Sequence, residues 1–521
     1  MLRTSQTHPL SVDHVTTPYG GKIGLCFCPG KKQPDPVLGS WDRSLEADLV
    51  AIRDWGASAL VTLLEQDEFR RLGVKVLSER AEELGLEWHQ APIRDTGVPN
   101  SQFESRWSYV GHRVRSLLTQ GKHVVLHCRA GRGRTGMVAA RLLVELGLSP
   151  EDAITAIRTA RPGTIESDAQ ADHVRGCRPV SDHSVRMDQV LGCLLGGAVG
   201  DAFGYAVEFS TLVAIRARFG AAGIQHPVFD QGRLVVSDDT QMTLFTAEGL
   251  LRALRAAPDD DDRLIEEIRL AYLDWFSTQH GGGAETAVHG GSGLLQHPPM
   301  WAIRAPGNTC LHALEMGGGG TVKEPINNSK GCGGVMRVAP CGLVPDWSTE
   351  KAFRMAADAA ALTHGHPSGF ISAGVLAAMI NRLIAGDGLE GAAERATTLA
   401  ESWAGGMDTV AAVRTAMSEA ALVTEESREM ADHADRISRI GLGWVGEEAL
   451  AIGLYAALVG RSFAEVIAIA ANHDGDSDST ASIGGQLYGA WTGLGDLPND
   501  WVRRLDVLDA VLAQAAELGA V

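Results

Sequence analysis

Cysteine is scarce in this chain. There are eight in 521 residues, and no spacing among them makes a CxxC pair or a disulfide framework. That excludes a disulfide-stapled scaffold and paired zinc knuckles. Cys26 and Cys28 form a lone CxC, which reads as two small buried residues on a strand. Long apolar runs are also missing. The stretch 190–199 stands out, but it falls short of the roughly 20 residues a membrane span needs. The first fifteen residues, MLRTSQTHPLSVDHV, lack the apolar core of a signal peptide. The resulting expectation is a cytoplasmic protein with no membrane partner. No internal repeat of solenoid period is present.

Positive charge is in short supply in one part only. The formal net charge is −18, and residues 1–180 are close to balanced, so the deficit lies beyond them. An acidic C-terminal part argues against nonspecific nucleic-acid binding. It is compatible with a carboxylate-built metal site. The acidic run 259–262 follows Pro258 and leads into LIEEIRLAYLDWF, so it reads as a helix N-terminus rather than a metal site.

What is present divides in two. Residues 1–178 alternate strand-like runs, KIGLCFC (22–28), ALVTLL (59–64), EWHQAPI (87–93) and HVVL (123–126), with helical stretches such as 74–84 and one starting after Gly133. This predicts an α/β domain with a central sheet flanked by helices. CRPVSDHS carries a proline and no periodicity, which places a linker at 179–186. From 187 to 521 Ala- and Leu-rich helical runs dominate: 187–197, 242–255, 264–275, 351–362, 369–384, 444–458 and 463–471. Glycine clusters break them. This half predicts an all-α domain with its chemistry on loops.

HCRAGRGRTG (127–136) follows HVVL directly. A strand ends at Cys128, a glycine-bearing loop follows, then Arg134 and a helix. Hydrolysis of a phosphate monoester through a thiol needs these parts. Loop amides and a helix N-terminus favour the thiolate and bind phosphoryl oxygens. Gly131 and Gly133 let the backbone of residues Arg129, Ala130, Gly131, Arg132 and Gly133 curl around the anion. Arg134 offers a bidentate fork, and Thr135 a hydroxyl for the sulfur. Asp95, in PIRDTGVPN, is the candidate acid for the leaving oxygen. Asp67 and Glu68 lie in a charged helical stretch and read as solvated.

The segment resembles the dual-specificity and tyrosine phosphatases, whose signature is HCxxGxxR[ST]. GLCFCPGKK and the PI-D setting of Asp95 are similar to the kinase-associated phosphatase branch, over residues 15–175. The resemblance implies a phosphatase without a cofactor. Basic residues at both Arg129 and Arg132 resemble the phosphoinositide phosphatase loop HCKAGKGRTG and suit a substrate with more than one phosphate. Pairing with nearby carboxylates is the alternative for these arginines.

Five segments of the second half carry further chemistry: LGGAVGDAFGYAVEF (195–209), SDDTQMTL (237–244), NNSKGCGGVMRVAP (327–340), LTHGHPSG (362–369) and HDGDSDSTASIGGQLYGA (473–490). Asp238 and Asp239 stand beside Ser237, and Asp476 and Asp478 alternate with serines. These are hard oxygen donors, suited to Mg²⁺ or Mn²⁺. Each pair alone is also a good helix cap. Together and in this order the segments resemble the ADP-ribosylglycohydrolase family over 187–515. The resemblance implies a two-magnesium centre, with Mn²⁺ the alternative, held by Ser237, Asp238, Asp239, Asp476, Asp478 and Ser479. It implies a metal- and ribose-facing role for Glu208, ADP-ribose binding by Ser329, Gly331, Gly333 and Gly334, and contact from His364. Either Asp476 or Glu208 is then the base.

The expectation is a bifunctional hydrolase acting on a phosphorylated or ADP-ribosylated protein or small molecule, with both halves acting on one target in its sharpest form. The alternative keeps one half as a non-catalytic binding module that recruits the other.

Overall fold

The computed structural model describes residues 2–34, 40–180, 183–280 and 293–520. It divides into two compact units, Met1–Ser184 and Val185–Val521.

The first unit runs β1 (Asp13–Thr16), β2 (Lys22–Phe27), β3 (Lys32–Gln33), β4 (Trp41–Asp42), α1 (Leu45–Asp54), β5 (Ala57–Thr62), α2 (Gln66–Arg71), α3 (Leu77–Glu83), β6 (Glu87–Gln90), α4 (Ser101–Thr119), β7 (His123–Cys128), α5 (Gly133–Glu145), α6 (Pro150–Ala160) and α7 (Asp168–Gly176). Five strands form one sheet in the order β1-β2-β7-β5-β6. Only β1 is antiparallel; β2, β7, β5 and β6 run parallel. Parallel strands are buried on both faces and so read as continuous apolar runs. That is why LCF and VVLHC are legible while the half-exposed DHVT of β1 is not. β6 stops at Gln90, before Pro92, which lacks a ladder donor. Side-chain caps start the helices: Ser44, Asn100, Ser149 and Ser167 each accept a backbone N–H in the following turn. One core face packs Cys26, Cys28, Leu60 and Val125 against Leu49, Ile52, Leu77 and Trp88. Cys128 pairs with Phe27 and ends the central strand, so the loop that follows sits at the carboxyl edge of a parallel sheet, where ligands bind in such folds.

The second unit is helical, and among its described residues there is no strand. Its helices are α8 (His183–Tyr205), α9 (Leu212–Phe219), α10 (Asp238–Ala256), α11 (Asp261–Thr278), α12 (Asn308–Glu315), α13 (Ala339–Gly342), α14 (Thr349–Ala361), α15 (Pro367–Ile384), α16 (Leu389–Glu401), α17 (Met407–Ala421), α18 (Met430–Ile440), α19 (Gly446–Val459), α20 (Phe463–Ala471), α21 (Ser477–Thr492), α22 (Asn499–Arg504) and α23 (Leu508–Leu518).

Two expectations need correcting. Helix α8 begins at His183, so the last four residues assigned to the linker 179–186 are helical; 181 and 182 lie outside the described residues. No Gly or Pro stands between His183 and Leu191 to stop the helix earlier. The apolar stretch at 190–199 is also not the one closest to membrane length. Pro367–Ile384 is long and apolar enough to cross a bilayer, but 78% of it is buried inside the unit, as a core helix should be.

Glycine permits a close helix contact. Gly192, Gly196, Gly200 and Gly204 recur every fourth residue along α8 and face α21. A Cβ at any of them would collide with a backbone carbonyl oxygen, that of Gly489, Gly485, Ala481 or Ser477 in turn. The two backbones therefore touch along four turns. This brings the start of α21, with Asp476 and Asp478, against the end of α8.

Candidate active sites

In the first unit the backbone of residues 128–134 curls at the end of β7. Gly131 has φ +70°, and a Cβ there would collide with the Cys26 carbonyl. Its N–H donates to Cys128 Sγ at 3.3 Å. Helix α5 starts without a cap from its own N-cap side chain and without an acidic residue in its first turn. Cys128 is 3% exposed. His127 beside it is buried, and burial pushes its imidazole down to about 3, so the ring is neutral. Its Nε2 lies 2.7 Å from Thr62 Oγ1.

Arg134 is buried and points across the loop. Nη1 donates to the Ile93 carbonyl at 2.9 Å and to Glu68 Oε2 at 2.6 Å; Nη2 donates to Glu68 Oε1 at 3.0 Å and Asp95 Oδ1 at 3.0 Å. Burial works against its charge, but Glu68, Cys128 and Asp95 outweigh it and hold the guanidinium above its ordinary range. This overturns the solvated reading of Glu68, which is 2% exposed and grips Arg134 bidentately. Glu68 also accepts the Glu65 N–H, at the first turn of α2, directly after β5. The signal was positional: a carboxylate just past a strand end, in a capping box. Asp67 is exposed and pairs with Arg71.

Asp95 reaches both arginines, with Oδ2 3.1 Å from Arg129 Nη1. Arg132 is exposed and has no ion-pair partner among the described residues. The Ala130 carbonyl accepts from Arg161 at 3.5 Å. Thr135 Oγ1 is buried without a hydrogen-bond partner, so its expected bond to the Cys128 sulfur is not formed here. A second carboxylate escaped the sequence reading. Glu166 Oε2 accepts the Gly133 N–H at 3.1 Å, so this loop amide already has an acceptor. Gln170 ties this turn to the acid loop: it accepts the Glu166 N–H and donates to the Gly97 carbonyl.

In the second unit the starts of α10 and α21 and the end of α8 converge. Carboxylate oxygens of Glu208, Asp476 and Asp478 all lie within 4.8 Å of one another. Asp238, Asp239, Asp476 and Asp478 are buried, each 4% exposed or less. Among the described residues none of these five carboxylates pairs with Lys, Arg or His. Burial first, and the neighbouring Asp478 next, push Asp238, Asp239 and Asp476 well up, and Glu208 to about 10. Asp239 Oδ2 and Glu208 Oε2 have no hydrogen-bond partner. Buried, mutually repelling carboxylates with two unpartnered oxygens fit divalent cations.

Ser237 caps α10, its Oγ accepting the Asp239 N–H at 3.2 Å. The segment is anchored by Asp201, which the sequence reading quoted in GDAFG but gave no role. Asp201 accepts the N–H groups of Ser237 (2.9 Å) and Thr240 (3.0 Å) and the Thr240 hydroxyl. Burial and then Asp478 push it up to about 7. Asp238 Oδ2 accepts the Gly307 N–H at 3.1 Å. Asp478 Oδ1 accepts the Ser479 N–H at 2.9 Å. Cys332 donates its thiol to Asp476 Oδ2 at 2.6 Å.

The glycine loop lies beside this cluster. Ser329 Oγ accepts the Gly331 N–H at 3.3 Å. Packing alone requires glycine at 333, where a Cβ would meet Cys310 Sγ at 2.9 Å, and at 334, where it would meet the Gly369 carbonyl at 2.6 Å. Gly331 has ordinary room for a Cβ. His364 is 1% exposed, with its ring against Gly333; burial and then Arg337 push it down to about 3. It supports the loop from beneath. The connection 441–446, which was also missed, holds the parts together: Asp476 N–H donates to the Leu442 carbonyl and Cys332 N–H to that of Trp444. Exposed Phe209, next to Glu208, stacks on Trp444 at 5.8 Å.

The profile of the ADP-ribosylglycohydrolase family matches residues 182–520, and that of "Polymorphic toxin system, DSP-PTPase phosphatase" matches 40–148. ADP-ribosyl-[dinitrogen reductase] glycohydrolase of Rhodospirillum rubrum is 26% identical over 63% of this chain and 97% of its own. Cyclin-dependent kinase inhibitor 3 of Rattus norvegicus is 28% identical over 30% of this chain and 71% of its own. Among solved structures, one described as an ADP-ribosylglycohydrolase-related protein complex is 25% identical, with a TM-score of 0.42, over 64% of this chain and 98% of its own. The chain belongs to the ADP-ribosylglycohydrolase family and carries a phosphatase domain of the DSP-PTPase type fused ahead of that hydrolase domain.

Proposed function

We propose that the chain removes phosphate through a phosphocysteine and removes ADP-ribose through a divalent-cation site, on targets that carry both groups. The observation that carries the second activity is the unpaired convergence of Glu208, Asp476 and Asp478. The first rests on the Cys128 loop with Arg134 fixed across it.

In the phosphatase step Cys128 Sγ attacks phosphorus, an S–P bond forms and the ester P–O bond breaks. Arg134 and the loop amides hold the equatorial oxygens. Asp95 gives its proton to the leaving oxygen. Water then cleaves the S–P bond, returning the thiolate and inorganic phosphate, and the water proton passes to Asp95. Asp95 must leave its ion pairs with Arg134 and Arg129 as the phosphoryl group arrives. Arg132 is free for a second phosphate.

In the hydrolase unit Ser237, Asp238, Asp239, Asp476, Asp478 and Ser479 would hold two Mg²⁺ ions, with Mn²⁺ the alternative. Bound ions would supply Lewis-acid activation of a water and compensate charge on ribose oxygens. Ser329 and the Gly331–Gly334 loop bind the diphosphate and ribose. Glu208 or Asp476 takes the proton of the water that attacks the anomeric carbon and returns it to the leaving group as the glycosidic bond breaks.

The test is mass-spectrometric digestion of phosphorylated ADP-ribose conjugates by wild type, Cys128→Ser and Asp238→Asn, with and without EDTA. Cys128→Ser should release only ADP-ribose, and Asp238→Asn or EDTA only phosphate. Conjugates left intact by wild type would defeat the shared-target reading.

A further inference from the structure

Cys332 is an odd residue for its place. Its sulfur lies 2.6 Å from Asp476 Oδ2, inside a cluster otherwise built from oxygen. A thiol is a weak donor, so hydrogen bonding alone would be served better by serine or asparagine. The sulfur is nevertheless held firmly by backbone. The Cys332 N–H donates to the Trp444 carbonyl at 3.2 Å, and the Cys332 carbonyl accepts from Val335 at 2.9 Å and Met336 at 3.2 Å.

That turn presents a second sulfur. Met336 is 3% exposed, and Ser479 Oγ donates to its Sδ at 3.9 Å. Cys332 and Met336 thus stand beside Asp476 and Ser479 respectively, while the unpartnered, 98% buried Asp239 carboxylate adds an open oxygen in the same cluster. Thiolate and thioether donors select softer ions, whereas carboxylates alone accept hard ones.

We propose that Cys332 is a sulfur ligand built into the cation site, so that the site takes thiophilic divalent ions such as Co²⁺, Zn²⁺ or Cd²⁺ through Asp476 and Cys332 together. This rests on the reading of the carboxylate cluster as a cation site. When such an ion binds, the S–H bond breaks, the proton leaves to solvent and a metal–sulfur bond forms; no electron is transferred. With Mg²⁺ the sulfur stays a thiol bonded to Asp476. Met336 Sδ accepts from Ser479 Oγ and serves as packing beside that hydroxyl.

The experiment uses the metal-stripped full-length chain with Cys128→Ser, which removes the phosphatase thiol. Co²⁺ is titrated while the near-ultraviolet sulfur-to-cobalt charge-transfer absorption is followed, and Cd²⁺ and Mg²⁺ binding are measured by equilibrium dialysis. The expected result is a charge-transfer band that saturates with bound Co²⁺ and is lost in Cys332→Ser and Cys332→Ala. Loss of the sulfur should weaken Cd²⁺ binding by roughly tenfold or more, with Mg²⁺ still bound, which also shows that the variants are folded. If Co²⁺ binds to the Cys332 protein without the band, or if Cd²⁺ affinity ignores Cys332, the sulfur ligand is refuted and the cation site stands. If neither Co²⁺ nor Mg²⁺ is bound, the cation-site reading fails and takes this inference with it.

Discussion

Glu68→Ala tests how the phosphatase unit holds its arginine. Glu68 and Arg134 are both buried and bonded by two charge-assisted hydrogen bonds, at 2.6 and 3.0 Å. Removing one partner of a buried pair costs about 3–5 kcal/mol, because the other charge is left uncompensated. Here the lower end applies, since Arg134 keeps the Ile93 and Leu63 carbonyls and Asp95. For a unit of this size, about 3 kcal/mol corresponds to a fall of roughly 6–12 °C in Tm. The guanidinium would also lose the bidentate partner that fixes its plane. Loss of one oriented donor to the transition state lowers kcat by about a hundredfold or more. Glu68→Gln keeps the shape and an acceptor oxygen, so it should fall between. The assay pairs calorimetric unfolding with kcat/KM on a phosphate monoester, with ADP-ribosyl hydrolysis by the same chain as the concentration control. If Glu68→Ala unfolds with wild type and keeps its kcat/KM, the pair is ornamental and the argument fails.

Three further outcomes follow. Folded Asp201 and Glu208 lie at about 7 and about 10, above their ordinary values near 4, so between these limits the folded unit binds more protons than the unfolded chain. Without metal, the hydrolase unit should therefore lose stability as pH rises through that window, and added Mg²⁺ should stabilise it increasingly with pH; thermal unfolding in EDTA and in Mg²⁺ between about pH 5 and about pH 9 reads both slopes, and a metal-free Tm that climbs with pH contradicts them. Glu166→Ala frees the Gly133 N–H and removes a negative charge from the phosphate loop, so orthovanadate should inhibit roughly threefold to tenfold more tightly; an unchanged or weaker inhibition constant counts against that contact. Gly204→Ala puts a Cβ 2.6 Å from Asp478 Cα, which should cost about 1–3 kcal/mol of stability and weaken Mg²⁺ binding, whereas Gly388→Ala, with open space around it, should do neither.

Much of this was legible along the chain. HVVLHC and its glycine loop stand as read, because a central parallel strand is apolar throughout and its loop needs glycine. Five of the helical runs of the second half lie within α8, α10, α11, α15 and α20, and those at 351–362 and 444–458 overrun α14 by one residue and precede α19 by two, since their apolar periodicity survives in isolation. The contacts that the sequence did not reveal share a cause. Glu68 meets Arg134 across 66 residues, and Cys332 meets Asp476 across 144. The capping box in EQDEFRR marks Glu68 as the start of a helix, but it does not say which neighbour the carboxylate meets. That β5 lies next to β7 is a fact of sheet order, and only it puts Glu68 on the phosphate loop.

Backbone conformation hid the rest. Glycine is the residue a reader looks for where φ is positive, yet Thr96 (φ +63°), Ile165 (+55°) and Phe209 (+62°) adopt that region. Each is chain neighbour to a carboxylate at a candidate site: Asp95, Glu166 and Glu208. Such conformations cost of order 1–3 kcal/mol each and persist only where the surroundings over-determine them. The surroundings are visible in each case. The Gly97 carbonyl behind Thr96 accepts from Gln170, the Ile165 carbonyl accepts from Arg158 at 3.1 Å, and Phe209 stacks on Trp444. A β-branched or aromatic residue in a left-handed turn therefore marks a side chain aimed by its neighbours against local preference. Among the described residues six non-glycine positions have positive φ, and these three, the β-branched and aromatic ones, each adjoin a carboxylate of a candidate site.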